Sequence, residues 1–178
     1  MQSGTLKRER DVREAYAAHS GELYGFALRS LGDSGLAEEA VQETFVRAWR
    51  AGDRFDPQIG SLRTWLFAIT YRVVSRMRRD RARRGEGTKR YLAERSELVS
   101  DAARETESAE FLRYLLLKLS EPQRVALILS ELEGFTSAEI AQTLGIPAGT
   151  VDSRLRAARS ELSRVLERER SRQERVLR

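Results

Sequence analysis

Apolar residues in this chain recur at helical spacing. The clearest run is Leu62, Trp65, Leu66, Ile69, Val73 and Met77, which keeps one face over about four turns. Ser61 stands before it as an N-cap, so a helix is predicted from there. A helix is also expected from about Arg10 to Leu31, marked by Val12, Tyr16, Leu23, Phe26 and Leu31, with a bend allowed at Ser20-Gly21. "LGDSG" reads as a turn, with Asp33 or Ser34 capping a second helix, "LAEEAVQETFVRAWRAG". "GDRFDPQIGS" breaks the pattern with Gly52, Pro57 and Gly60.

From Gly85 to about Ser108 no apolar period is sustained, and between Glu94 and Glu110 six acids face two arginines. That segment is read as a linker, with a helical turn near Tyr91 and Leu92. Periodicity returns at Phe111. "SEPQRVALILSELEG" predicts a helix capped by Ser120, with Pro122 in its first turn and Gly134 past its end. The pattern gives an all-α fold: two small helical domains, residues 10–84 and 109–168, joined by a flexible acidic linker, 85–108. A charged tail, 169–178, extends the last helix and is expected to fray.

"TSAEIAQTLGIPAGTVDSRLRAAR" holds the most specific pattern. Thr136-x-x-Glu139 is a capping box, with Ile140, Ala141 and Leu144 as the inner face of the helix it starts. Gly145 permits a left-handed stop. Pro147 precedes a longer helix opened by Gly149 or Thr150. This is the helix-turn-helix order, in which the second helix enters the major groove of DNA. Stepping about 100° per residue places Val151, Leu155, Ala158 and Leu162 on one buried side. Ser153, Arg156, Ala157 and Ser160 lie opposite, Asp152 sits at an edge, and Arg154 and Arg159 flank them. A groove helix needs small hydrogen-bonding residues centrally and arginines at the sides for phosphate. Arg156 suits guanine, and Asp152 would accept from a cytosine amino group. A solvated amphipathic helix would explain any one of these features. Together they favour DNA binding.

Composition narrows the chemistry. The 178 residues carry no cysteine and one histidine, His19, which removes thiolate sites and makes a histidine-built metal site or triad implausible. His19 reads as an ordinary polar residue. No run of about 18 apolar residues is present, and the N-terminus lacks the apolar core of a signal peptide. A cytoplasmic, non-enzymatic protein without cofactors or membrane insertion is expected. The net charge is +5, and of 32 basic residues only Lys7, Lys89 and Lys118 are lysine. Arginine suits phosphate and guanine edges. A GC-rich genome would also favour arginine codons, so position carries the inference. Seven arginines and one acid, Asp80, fall between Arg72 and Arg84. That exceeds what a helix C-terminus needs and predicts phosphate contact. Opposite the apolar stripe of the same helix lie Thr64, Phe67, Tyr71, Val74 and Arg78. Phe67 and Tyr71 would suit unstacked bases. As aromatics alone they are better read as packing on the first helix, with the third helix central.

These segments, in this order, resemble bacterial RNA polymerase sigma factors of the extracytoplasmic-function group. "AEEAVQETFVRAWR" resembles region 2.2, "FDPQIGSLRTWLFAITYRVVSRMRR" the 2.3–2.4 segment, and "LSEPQRVALILSELEGFTSAEIAQTLGIPAGTVDSRLRAAR" region 4. The resemblance implies that 10–84 binds core polymerase and that 109–168 recognises the −35 element. It implies that Glu38, Glu39, Gln42, Glu43 and Trp49 grip the β′ clamp helices. It places Arg72, Arg76, Arg78 and Arg79, with Tyr71, where the −10 element is recognised and opened. The loop from Phe55 to Ser61 would hold a flipped base. Thr150, Asp152, Ser153, Arg154, Arg156 and Arg159 would lie on the −35 helix. The polymerase β flap and an anti-sigma factor are implied partners, alongside promoter DNA. Relatives usually carry an acid at Arg76 and often a basic residue at Asp152, so promoter specificity does not transfer. A stand-alone helix-turn-helix repressor or activator explains 136–159 equally well, but not the separate arginine-rich helix. An adaptor without DNA contact fits poorly with a pI of about 9.9.

Overall fold

The computed structural model describes residues 8–84 and 111–176, apart from residue 113. The predicted linker, with its helical turn near Tyr91 and Leu92, lies outside the described residues. Two compact helical units form, and no strand occurs among the described residues.

The first unit holds three helices, α1 (Glu9–Leu31), α2 (Ser34–Arg50) and α3 (Leu62–Arg83). α1 runs unbroken through Ser20-Gly21. It stops at Gly32, whose φ of 70° lets its N–H reach the Leu28 carbonyl at 2.8 Å. Asp33 then caps α2, its Oδ1 accepting from the Leu36 N–H at 2.9 Å. Ser61 caps α3 in the same way through the Thr64 N–H at 3.0 Å. Each pair of these helices packs together. Ala37, Ala40 and Ala48 of α2 are fully buried, and their small side chains let the neighbouring helices approach closely.

α3 is central. Leu66, Ile69 and Val73 are buried, and so are Thr64, Phe67 and Val74 on the opposite side. Phe67 meets Phe26 of α1 edge-on, ring centroids 5.6 Å apart. The packing alternative for Phe67 is therefore the one realised. Between α2 and α3 a hydroxyl pair is buried, Thr44 Oγ1 donating to Thr70 Oγ1 at 3.1 Å. Each hydroxyl also approaches a carbonyl four residues back, Ala40 and Leu66 respectively, so neither is orphaned by burial.

In the second unit, residues 114–118 are helical. Ser120 and Gln123 then form a capping box for α4 (Glu121–Leu127), with Pro122 in its first turn. α4 does not continue to Gly134 as a regular helix. It widens into a π turn at Ile128–Leu132, closed by the Glu133 N–H on the Ile128 carbonyl at 3.1 Å. Gly134, at φ 69°, ends it. α5 (Ser137–Leu144) and α6 (Ala148–Val176) follow. α6 packs on α4, where Val151, Leu155, Ala158 and Val165 of α6 and Val125, Ala126 and Leu127 of α4 are buried. The predicted tail belongs to α6, which stays helical to Val176. There, Tyr114 Oη donates to Glu169 Oε1 at 2.7 Å, so the extra turns meet the 114–118 segment.

Candidate nucleic-acid interface

α5 and α6 are joined through Gly145, whose φ of 67° supplies the predicted left-handed stop. The capping box at the start of α5 forms in both directions. The Thr136 N–H donates to Glu139 Oε2 at 2.9 Å, and the Glu139 N–H to Thr136 Oγ1 at 3.3 Å. α6 begins earlier than expected, at Ala148. The N–H groups of Thr150 and Val151 both donate to the Pro147 carbonyl, which places Thr150 inside the first turn rather than at its opening. Asp152, Ser153, Arg156, Arg159 and Ser160 are exposed on α6, with Arg154 half-buried beside them.

Two acids engage this face. Asp152 Oδ1 accepts from Ser137 Oγ at 2.8 Å, tying the start of α6 to the start of α5. Glu131 Oε1 accepts from Arg159 Nη2 at 2.7 Å. That hydrogen bond, against a smaller opposing effect of burial, holds the Glu131 carboxyl below the usual carboxylate range, helped by the charge of Arg159 and a hydrogen bond from Ser130. Arg156 has no ion pair among the described residues.

On α3, a second basic stripe lines the outer side. Arg72, Arg76, Arg79 and Arg83 are all exposed, and helical spacing puts them on one face with Trp65. Asp80 counters them loosely, at 3.7 Å from Arg76 and 3.9 Å from Arg83. Tyr71 and Arg78 do not share this stripe. They are half-buried on the side that carries Phe67. Arg81 turns inward and donates to the Leu31 carbonyl at the end of α1. The loop before α3 is ordered by Asp56, whose Oδ1 accepts from the Gln58 N–H at 2.8 Å. Phe55 in that loop rests on Trp65, ring centroids 5.4 Å apart, while Ile59 is 72% exposed. The loop and the arginine stripe therefore flank one aromatic pair.

α2 presents a third surface. Glu38, Glu39, Gln42 and Trp49 project outward, with Trp49 55% exposed. Glu43 sits at the edge, accepting from Arg47 Nε at 2.7 Å.

Residues 15–84 match sigma-70 region 2, and residues 112–162 match sigma-70 region 4. The extracytoplasmic-function RNA polymerase sigma factor SigL of Mycobacterium tuberculosis is 32% identical over 148 residues, covering 83% of this chain and 84% of SigL. The chain belongs to the extracytoplasmic-function sigma factors. SigK of Mycobacterium ulcerans, of the same group, is 31% identical, covering 84% of this chain and 83% of SigK. Among solved structures, RpoE of Bartonella quintana in complex with the anti-sigma factor NepR aligns with a TM-score of 0.71 at 26% identity. It covers 89% of this chain and 98% of RpoE. CnrH in complex with the cytosolic domain of CnrY aligns at 0.66 with 30% identity, covering 90% of each chain.

Within this sigma factor, Val46, Ile59 and Glu131 were not singled out from sequence. Val46 is 41% exposed on the α2 face that carries Trp49. Its four-residue offset from Gln42 was the available signal. Glu131 had no local signal, because its partner lies 28 residues away. No cluster of metal-ligating side chains occurs among the described residues. No helix among them is long and apolar enough to cross a membrane.

Proposed function

We propose that this sigma factor is a dissociable, non-catalytic subunit that binds core RNA polymerase in the cytoplasm and directs it to a two-part promoter. One observation carries the reading: a single chain joins an arginine-faced helix in one unit to a helix-turn-helix in another. A stand-alone repressor needs only the second.

Residues 10–84 act as the polymerase-binding and −10 domain, and 109–168 as the −35 domain. The outer face of α2, with Glu38, Glu39, Gln42, Glu43 and Trp49, docks on the β′ clamp helices. Trp49 and Val46 supply the apolar anchor, and the carboxylates the charge complementarity. The second unit meets the β flap. α6 lies in the −35 major groove. Arg156 reads a guanine, while Arg154 and Arg159 touch phosphate, with Thr150 and Ser153 near the backbone. With Oδ1 held by Ser137, Asp152 keeps its other oxygen for a base-edge donor. As the −10 element opens, Arg72, Arg76 and Arg79 hold the non-template strand. The loop from Phe55 to Ser61 captures a flipped base beside Trp65. Tyr71 and Arg78 would act from the edge of that surface. Opening needs no covalent chemistry, because unstacked bases are trapped rather than transformed. Release is controlled by an anti-sigma factor, a reading supported by the anti-sigma partner of RpoE.

In vitro transcription tests this. The protein is mixed with sigma-free core polymerase and fragmented genomic DNA, and transcript starts are sequenced. Starts that need the protein and share two upstream motifs at fixed spacing are expected. No starts, with tight duplex binding by the protein alone, would instead mark a repressor or activator.

A further inference from the structure

We infer that Glu131 competes with DNA phosphate for Arg159 and so attenuates the sequence-independent affinity of the −35 face. This rests on the reading of α6 as the −35 helix. Arg156 and Arg159 both leave α6 on its exposed side, yet their surroundings differ. Arg156 meets no acid among the described residues. Arg159 Nη2 already donates to Glu131 Oε1 at 2.7 Å. The pair joins two packed helices rather than successive turns of one.

The backbone sets the acid in place. α4 departs from regular geometry at Ile128–Leu132, and Glu131 sits inside that π turn. An inserted residue redirects the side chains that follow it, and such turns recur at functional sites. Just beyond, the Phe135 N–H donates to the Leu129 carbonyl at 2.9 Å and the Phe135 side chain is buried. The turn is thus anchored from behind. Ser130 Oγ adds a hydrogen bond to the same Glu131 oxygen at 3.3 Å. The Arg159 hydrogen bond foremost holds the Glu131 carboxyl below the usual carboxylate range.

Side chains of Arg159 and Glu131 are 60% and 49% exposed. An exposed pair is weak, and a phosphate can displace it. Displacement leaves the Glu131 charge beside the DNA backbone. The penalty falls on a phosphate contact, which carries no sequence information. The second unit is thereby kept from settling on arbitrary duplex, and stable binding depends on base contacts and on engagement at −10.

The test uses holoenzyme assembled from the full chain and core polymerase, and a labelled promoter duplex, between 50 and 200 mM salt. Glu131→Gln keeps the shape and removes the charge. It is expected to bind more tightly, with a steeper slope of log K against log salt, by an amount below the roughly 0.9 of one full phosphate contact because Arg159 already reaches phosphate part of the time. Arg159→Ala should weaken binding, and Glu131→Gln combined with Arg159→Ala should match Arg159→Ala alone. An unchanged slope in Glu131→Gln, with Arg159→Ala still weakening, would overturn the inference and leave the −35 reading standing. A gain from Glu131→Gln that persists without Arg159 would also overturn it. No effect of Arg159→Ala in either background would remove Arg159 from the −35 contact altogether.

Discussion

On the proposed reading of α6 as the −35 helix, Arg156 is the residue on which promoter choice there turns. It is exposed at the middle of the outward face of α6, where a guanidinium reaches base edges rather than strands of phosphate. Arg156→Ala should cost about 1–3 kcal/mol at one −35 position and relax specificity there. Transcription from a set of promoters with single −35 changes would show it. Equal weakening of every promoter would assign Arg156 to phosphate instead. The face around it was legible in the sequence, because helical spacing fixes which side chains share a side. Its internal partners were not. Asp152 bonds Ser137, fifteen residues away, and Arg159 bonds Glu131. Both pairings depend on how three helices pack and on a π turn, and neither has a local sequence signature.

At the scale of elements, α2 divides cleanly into a buried face and an outer one. Its inner face carries Ala37, Ala40, Val41, Thr44, Phe45 and Ala48. Its outer face ends in Val46 and Trp49, two apolar side chains that the fold leaves uncovered. An exposed tryptophan among carboxylates is suited to anchor a partner. Trp49→Ala should weaken capture of core polymerase by about 2 kcal/mol, roughly 30-fold, with the helical circular dichroism of the free protein unchanged. Competition with a second sigma factor for limiting core would measure it, and undiminished capture would move the docking face elsewhere. Four helix starts were legible, since Ser61, Ser120 and Thr136 make the caps predicted for them and Asp33 is the realised one of the pair Asp33 and Ser34, whereas α6 starts ahead of Gly149 and Thr150. α3 was harder. Its apolar stripe marks one buried side, but a central helix is buried on two. The side carrying Phe67 is interrupted by Tyr71 and Arg78, so periodicity alone left packing and base contact as competing uses. Phe26 of α1 decides between them by covering Phe67.

For the whole molecule, two modest DNA contacts must act as one. Each unit presents an open basic face, α3 in one and α6 in the other. Arginine contacts to phosphate are salt-dependent and sequence-blind, so either face alone would hold DNA weakly and with little selectivity. Bound to polymerase, the units would face −35 and −10 at a set distance, and the second contact becomes intramolecular. Such linkage multiplies affinity by about 10²–10⁴ when both sites are reached together, and the gain disappears when geometry forbids it. Moving the two promoter elements apart by half a helical turn, roughly 5 base pairs, rotates one to the opposite side of the duplex. Transcription by the holoenzyme should then fall by about 100-fold or more, and restoring a full turn, roughly 10 base pairs, should not rescue it, because the distance has grown as well as the angle. Recovery at the full turn would mean that rotational phase alone matters and that the spacing of the two units adapts. Indifference to both insertions would mean that one unit selects the promoter without the other.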